Sequence, residues 1–333
     1  MELPEALRLA ISDVVEALPR QEIERAAARL SEGYRAVDAT TASAANSMAG
    51  VVAYAAIRLP ATFAALTAAL GEARALLPDW EPTSLLDVGA GPGVAVWAAS
   101  AIWGAIQRAI LLERDQRMIG LGRELLETAP TAVDVTWREL DVTGAWSRPA
   151  PASADLVTCA YALNEIPEAQ RGKLVARLWE ATEPGAGALA LVAPGTPAGF
   201  AAIRAARDQL IAAGAHILAP CPHARACPMS DGDWCHFARR LARSRLHRQL
   251  KGGDAPFEDE KFSYIIASRQ DARPASARVI RRPTVLSGHI QLSFCAQNGL
   301  ERRDITRSQK AAFRQARDAY WGSAWEATDS QSD

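Results

Sequence analysis

Apolar positions near the N-terminus recur at helical intervals, with Leu7, Ile11, Val14, Val15 and Leu18 on one face. The segment from Ser43 to Leu77 is Ala-rich with few breakers. Pro60 interrupts it, and Pro78 and Pro82 close it. These features predict an N-terminal helical region over residues 1–80.

From Ser84 the period changes. SLLDVGAG reads as a strand entering a glycine turn, and VAVWAASAIW as the helix that follows. RAILLER, VTWRELDV, ADLVTCAYAL and GALALVAPG are four further short apolar strands, with helical stretches such as DQRMIGLGRELLETA and PEAQRGKLVARLWEAT between them. This alternation predicts an α/β fold with a parallel, doubly wound sheet. KFSYIIASR and GHIQLSFC resume strand character near the end and are expected to close that sheet. Residues 216–262 break the rhythm and read as an insertion within a domain spanning 81–325. The tail 326–333 reads as disordered.

Composition adds little until charge is placed along the chain. The 333 residues are 49% hydrophobic and 23% charged, the profile of an ordinary globular protein. No apolar run reaches the roughly 18 residues a spanning helix needs, and no membrane association is expected. The start of the chain, MELPEALRLAISDVVEALP, carries acids among its apolar residues and lacks a secretory leader, which predicts a cytoplasmic protein. The formal net charge is -1, yet His236 to Arg317 holds 18 Lys/Arg against 7 Asp/Glu, leaving 19 against 31 for the rest. A basic stretch of this kind suits a polyanionic partner such as RNA, or a solvated Arg-rich helix. HFARRLARSRLHRQLK is read as a helix, with Arg239, Arg240, Arg243, Arg245, Arg248 and Lys251 as candidate phosphate contacts.

Two constellations carry candidate chemistry. LLDVGAGPG follows a strand and opens a helix, so Gly89, Gly91 and Gly93 let backbone approach a ligand at the helix N-terminus. The next strand ends in Glu113, about twenty residues on, where a carboxylate can accept from ribose hydroxyls. The third strand ends in ELDV, which puts Asp141 beside an adenine. Asn164 and Glu165 follow the fourth strand, where acceptor chemistry would sit, and a capping or core role for Asn164 is equally open. Cys159 reads as a small buried hydrophobe.

The second constellation is a run of thiols. Cys221, Cys227 and Cys235 fall in PCPHARACPMSDGDWCHF, and Cys295 ends a strand far downstream. Four thiolates can bind zinc or hold an iron–sulfur cluster, and the paired CxxC usual for zinc is absent. His223 and His236 flank them as alternative ligands or neighbours.

The order of Asp87, the three glycines, Glu113 and Asp141 resembles the class I S-adenosylmethionine-dependent methyltransferases. The nicotinamide spacing GxGxxG fits this loop less well. A second resemblance covers nearly the whole chain. CPHARACPMSDGDWCHF, FEDEKFSY, the N-terminal LSEGYR and YAAIRLPATFAAL, APGTPAGF, RRP and ARDAYWG are similar to the methyltransferase-like proteins associated with the mitochondrial small ribosomal subunit and their bacterial relatives. That resemblance implies a class I fold that binds S-adenosylmethionine, and a [4Fe-4S] cluster on Cys221, Cys227, Cys235 and Cys295, with zinc as the alternative. It also implies a role on the small ribosomal subunit and its rRNA, either as an rRNA methyltransferase or as a non-catalytic assembly factor. Ala193 departs from the pattern, since relatives tend to have an acid before PGTP. A radical enzyme fits poorly, because four candidate ligands leave no iron free.

Overall fold

The computed structural model describes residues 2–35, 46–129, 132–144, 146, 153–230, 232–251 and 253–326. Among the described residues, four helices open the chain: α1 (Glu5–Glu16), α2 (Arg20–Arg35), α3 (Met48–Ile57) and α4 (Leu59–Leu76). In α1 the predicted face is the buried one, with Leu7, Ile11 and Val14 nearly inaccessible. Pro60 interrupts the segment as expected: it sits in the first turn of α4, just past the break that ends α3, where its missing N–H has no intrahelical partner to lose. Together α3 and α4 are long and apolar enough to cross a membrane, but they bend by 46° and bury almost all their apolar side chains in the core. Among the described residues no single helix is long and apolar enough to span one.

A mixed eight-stranded sheet follows. Its strands are β1 (Ser84–Val88), β2 (Arg108–Glu113), β3 (Asp134–Glu139), β4 (Leu156–Ala160), β5 (Ala188–Pro194), β6 (His216–Ala219), β7 (Phe237–Ala242) and β8 (Phe257–Ser268). The order is β3-β2-β1-β4-β5-β8-β6, with β7 paired to the first half of β8. The first five strands are parallel, and β8 enters antiparallel between β5 and β6. This is a doubly wound α/β sheet, mixed rather than wholly parallel. It is covered by α5 (Val94–Ile102), α6 (Gln116–Glu127), α7 (Glu168–Glu180) and α8 (Pro197–Ala212). Leu86, Val88, Val157, Leu189 and Leu191 are wholly buried, as strands packed on both faces require. Asp155 joins the starts of β1 and β4, accepting hydrogen bonds from the backbone and hydroxyls of Thr83 and Ser84 at 2.8–3.0 Å.

Three expectations change here. The segment 216–262 begins and ends with strands of the central sheet and contributes β7 to it as well, so only the connections on either side of β7 stand apart from it. The helix expected over HFARRLARSRLHRQLK is instead β7 followed by the short helix α9 (Arg245–Lys251). The long strand β8 offers β7 an edge, and Arg240 faces Asp259 directly across the ladder, a pairing that one isolated segment cannot reveal. Nor does GHIQLSFC close the central sheet. It becomes β11 (His289–Ala296) of a separate antiparallel sheet with β9 (Ala277–Val279), β10 (Thr284–Leu286), β12 (Gly299–Thr306) and β13 (Ala324–Trp325). Helix α10 (Lys310–Asp318) packs on that sheet, where Phe294, Ile290, Ile305 and Ala316 share a core. Of the tail expected to be disordered, residues 327–333 lie outside the described residues.

Candidate cofactor pocket and cysteine cavity

A cavity of about 850 Å³ opens at the C-terminal ends of β1, β2 and β4, where strand order reverses. Gly89, Gly91, Glu113, Asp141 and Glu165 line it, together with Tyr54 and Tyr161. Gly89, Gly91 and Gly93 all take left-handed backbone angles. At Gly89 a side chain is doubly excluded, since a Cβ would lie 2.4 Å from that of Ala162. Gly93 and Asp87 stand behind the pocket wall rather than on it.

Glu113 organises the loop. One carboxylate oxygen accepts from the Gly91 N–H at 2.8 Å, and the other from the N–H groups of Arg114 and Asp115. Asp115 then caps α6 through the Arg117 N–H. Asp141 accepts from the backbone and hydroxyl of Thr143, and the hydroxyl contact leads in holding its carboxyl below the usual range. Asp87 is 2% exposed, and burial pushes it up to about 7 despite a 2.6 Å hydrogen bond from Thr158.

On the acceptor side, Asn164 and Glu165 fall in a short 3-10 turn after β4. Glu165 reaches the pocket, while the Asn164 side-chain oxygen is buried without a hydrogen bond among the described residues. Sequence reasoning missed Tyr161. Its backbone is left-handed, φ 63°, at a residue that is not glycine, and such strain clusters at functional sites. Its hydroxyl donates to Glu260 at 2.8 Å, and Glu260 also pairs with Arg58 at 3.4 Å. The only sequence signal was its place directly after an apolar strand.

The four cysteines meet at a second, much smaller cavity of about 40 Å³. Cys221, Cys227 and Cys235 come from the loop between β6 and β7, and Cys295 from β11 of the second sheet. Phe200, Met229 and Ile280 supply apolar wall. All the cysteines are unpaired thiols. Burial pushes Cys295 up to about 12, with Cys221 and Cys227 adding to the effect. Burial also raises Cys221 and Cys235, and Cys235 feels the other three. The set is therefore costly as bare thiolates. Among the described residues no three His, Cys, Asp or Glu side chains are grouped as around a metal ion, so the expected metal-binding insertion is not shown.

Two buried arginines line this cavity, and neither was foreseen. Arg207, 2% exposed, donates to the carbonyls of His223 and Arg225 at 2.8 and 2.6 Å and contacts Asp208, while its Nε has no partner among the described residues. Arg278, 1% exposed, lies opposite Cys295 in the β9–β11 ladder. It donates to Glu72 at 2.6 Å and to the carbonyls of Pro220 and Gly322. Arg207 draws the raised Cys221 thiol back down, and Arg278 does so more weakly. His223 sits with Nε2 3.8 Å from the Cys295 sulfur, whereas His236 is packed between Trp234 and Trp321.

The candidate phosphate contacts are largely engaged within the chain. Arg240 makes two hydrogen bonds to Asp259 and lies over the Phe257 ring. Arg243, His247 and Lys251 surround Glu258, which they hold down to about 2 against the desolvation of burial, His247 and Lys251 leading. Arg239 lies 5.8 Å from the Tyr320 ring. Arg248 is half-buried, leaving Arg245 as the exposed cation of α9.

The family described as mitochondrial small ribosomal subunit Rsm22 matches residues 48–326. The human mitochondrial ribosome assembly protein METTL17 is 29% identical over 294 residues, which cover 81% of this chain and 61% of that protein. The mitochondrial Rsm22-cox11 tandem protein 2 of Schizosaccharomyces pombe is 24% identical over 334 residues, covering 82% and 42%. The chain thus spans about three fifths and two fifths of these relatives' lengths. Among solved structures, an O-methyltransferase family protein from Burkholderia thailandensis aligns with a TM-score of 0.45 at 14% identity, covering 78% of this chain and 72% of that one. The expectation of a cytoplasmic protein is corrected by the named relatives, which are mitochondrial. Unpaired thiols call only for a reducing compartment and do not choose between compartments. With 48–326 inside one family description, the chain belongs to the Rsm22 family of mitochondrial small ribosomal subunit proteins.

Proposed function

We propose that this chain is a small-ribosomal-subunit assembly protein that binds S-adenosylmethionine in the glycine-loop pocket and holds a [4Fe-4S] cluster on Cys221, Cys227, Cys235 and Cys295. The observation that carries the cofactor reading is Glu113. Its carboxylate ends β2, touches the Gly91 backbone and faces a cavity of about 850 Å³, which supports a nucleoside whose ribose it would accept from. Asp141, held ionised by Thr143, is the further polar group for the adenosine end. S-adenosylmethionine supplies an electrophilic methyl group when bound, and rRNA is the acceptor class that the family suggests.

The cluster reading rests on the thiols. Four cysteines lining one cavity support a group held by thiolates. Arg207 and Arg278 offer positive charge to an anionic group there. Held on the loop and on β11 at once, the cluster would fasten the second sheet to the central one. It supplies structure and an electron-carrying centre.

A second reading, in which the cofactor serves shape rather than methyl transfer, is favoured by Tyr161. This residue follows β4, and its hydroxyl is engaged by Glu260 instead of an acceptor.

Titration calorimetry with S-adenosylmethionine on anaerobically purified protein, alongside iron, sulfide and zinc content, tests the proposal. Glu113→Ala is expected to weaken cofactor binding about tenfold or more, the loss of charge-assisted hydrogen bonds. About four irons and four sulfides per chain are expected. No heat of binding for the wild type would remove the cofactor assignment, and zinc without sulfide would remove the cluster.

A further inference from the structure

The charge that the sequence concentrates after His236 is distributed unevenly in space. Around β7 and α9, Arg240, Arg243 and Lys251 are compensated by Asp259 and Glu258, while Arg239, Arg245 and Arg248 form no ion pair among the described residues. A phosphate arriving at the three paired residues would have to displace carboxylates already in place. The second sheet differs. Residues 277–326 carry nine Lys/Arg against four Asp/Glu. Arg278, Arg281 and Arg303 are paired to Glu72, Asp233 and Glu301. Arg307, Lys310, Arg314 and Arg317 are exposed and form no ion pair among the described residues.

These four residues share a geometry. Lys310, Arg314 and Arg317 lie in α10 at helical spacing, and Arg307 lies in the turn just before the helix. The side of α10 turned away from them carries Ala316, buried in the core of the second sheet with Phe294 and Ile305, while the partly buried Phe313 packs on that core at the margin of the cation stripe. The cations therefore form one row on the outward side, spanning about 10 Å from Lys310 to Arg317. Asp318 is the one acid on the helix and pairs with none of them.

We infer that this row on α10, and not the arginines of β7 and α9, is the surface that docks onto the phosphate backbone of structured RNA. The inference deepens the small-subunit reading above and rests on it. Unpaired, solvated cations in a row on a rigid helix gain counterion release on meeting a polyanion without first losing an internal partner. RNA is the occupant because the row presents exposed cations that no carboxylate among the described residues neutralises, the charge complement of a phosphate backbone.

The test compares the full chain with two variants, Lys310→Gln/Arg314→Gln/Arg317→Gln and Arg240→Gln/Arg245→Gln. Affinity for a small-subunit rRNA hairpin is measured by fluorescence anisotropy across a salt series, and co-sedimentation with small subunits runs alongside. Thermal melting confirms that both variants fold. The α10 variant is expected to bind at least tenfold more weakly at about 0.1 M salt, with the slope of log affinity against log salt reduced by about 2 to 3. The second variant is expected to remain near wild type. An unchanged slope in the α10 variant, or a larger loss in the second variant, overturns the inference while leaving the small-subunit reading intact. Wild-type protein that sediments with subunits but ignores the hairpin also overturns it, assigning the contact to ribosomal protein. Failure of wild type to bind either would sink the small-subunit reading itself.

Discussion

The glycine-loop pocket and the cysteine cavity sit on the same sheet but are built in opposite ways. The pocket is wide and polar, and apart from Tyr54 of α3 its residues come from consecutive strand-to-helix turns between Gly89 and Gln170. The cavity is small and mostly apolar, and its lining reaches from Phe200 to Cys295, with Arg278 anchored as far away as Glu72 and Gly322. In the pocket, charges stand at a solvated rim where losing one costs binding. At the cavity, buried guanidinium groups are held by carbonyls and a carboxylate, and losing one leaves the others unsatisfied. The first site should respond to mutation mainly through ligand affinity, and the second mainly through stability.

The largest expected effect sharpens this contrast. Arg278→Met removes a buried ion pair and strands the Glu72 carboxylate with two carbonyls, so unfolding in denaturant should show a loss of about 5 kcal/mol, while cofactor affinity per folded molecule stays unchanged. Weakened cofactor binding with little loss of stability would erase the distinction.

The next prediction could break the contrast from the pocket side, because Asp87 is a buried titrating group just behind the glycine loop. Burial raises its folded pKa from 3.8 to about 7, so its contribution is fully present below 3.8 and is lost as pH climbs towards 7, on the order of 4 kcal/mol in all. Asp87→Asn should keep the Thr158 hydrogen bond and flatten the stability profile between pH 4 and 7, as followed by melting temperature. An unchanged profile would show that Asp87 is not the group responsible.

The smallest effect lies outside both sites, at the start of β8. Glu258 is held at about 2, below its usual 4.5, so its stabilisation is present above 4.5 and lost as pH falls towards 2. Glu258→Gln should cost about 2 kcal/mol at pH 7 and remove that acid-sensitive step. If stability at pH 7 is unchanged, Arg243, His247 and Lys251 find other partners.

Local patterns accounted for much of this protein. The helical face of Leu7, Ile11 and Val14, the five parallel strands and the glycine loop all stand where short-range periodicity put them. Glu113 and Asp141 followed because they end consecutive strands and must arrive at the same edge of a parallel sheet. Reasoning failed where a segment's conformation depends on a distant partner. Phe237 and Leu241 suit a helix face or a strand equally well, and β8 decides between them by offering a ladder and Asp259. The strand GHIQLSFC turns back on GLERRDIT through a two-residue turn, pairing Ala296 with Gly299, and so leaves the central sheet altogether.

Residue type and order therefore determined the sheet class, the glycine turn at the pocket and the presence of a thiol group, since each depends on spacing within tens of residues. Tertiary structure alone decided that the second sheet stands apart, that Arg207 and Arg278 face the thiols, and which basic residues are already paired. Those outcomes depend on desolvation and on partners brought together from opposite ends of the chain. A burial-driven change in the worth of a charge leaves no mark on the sequence that carries it.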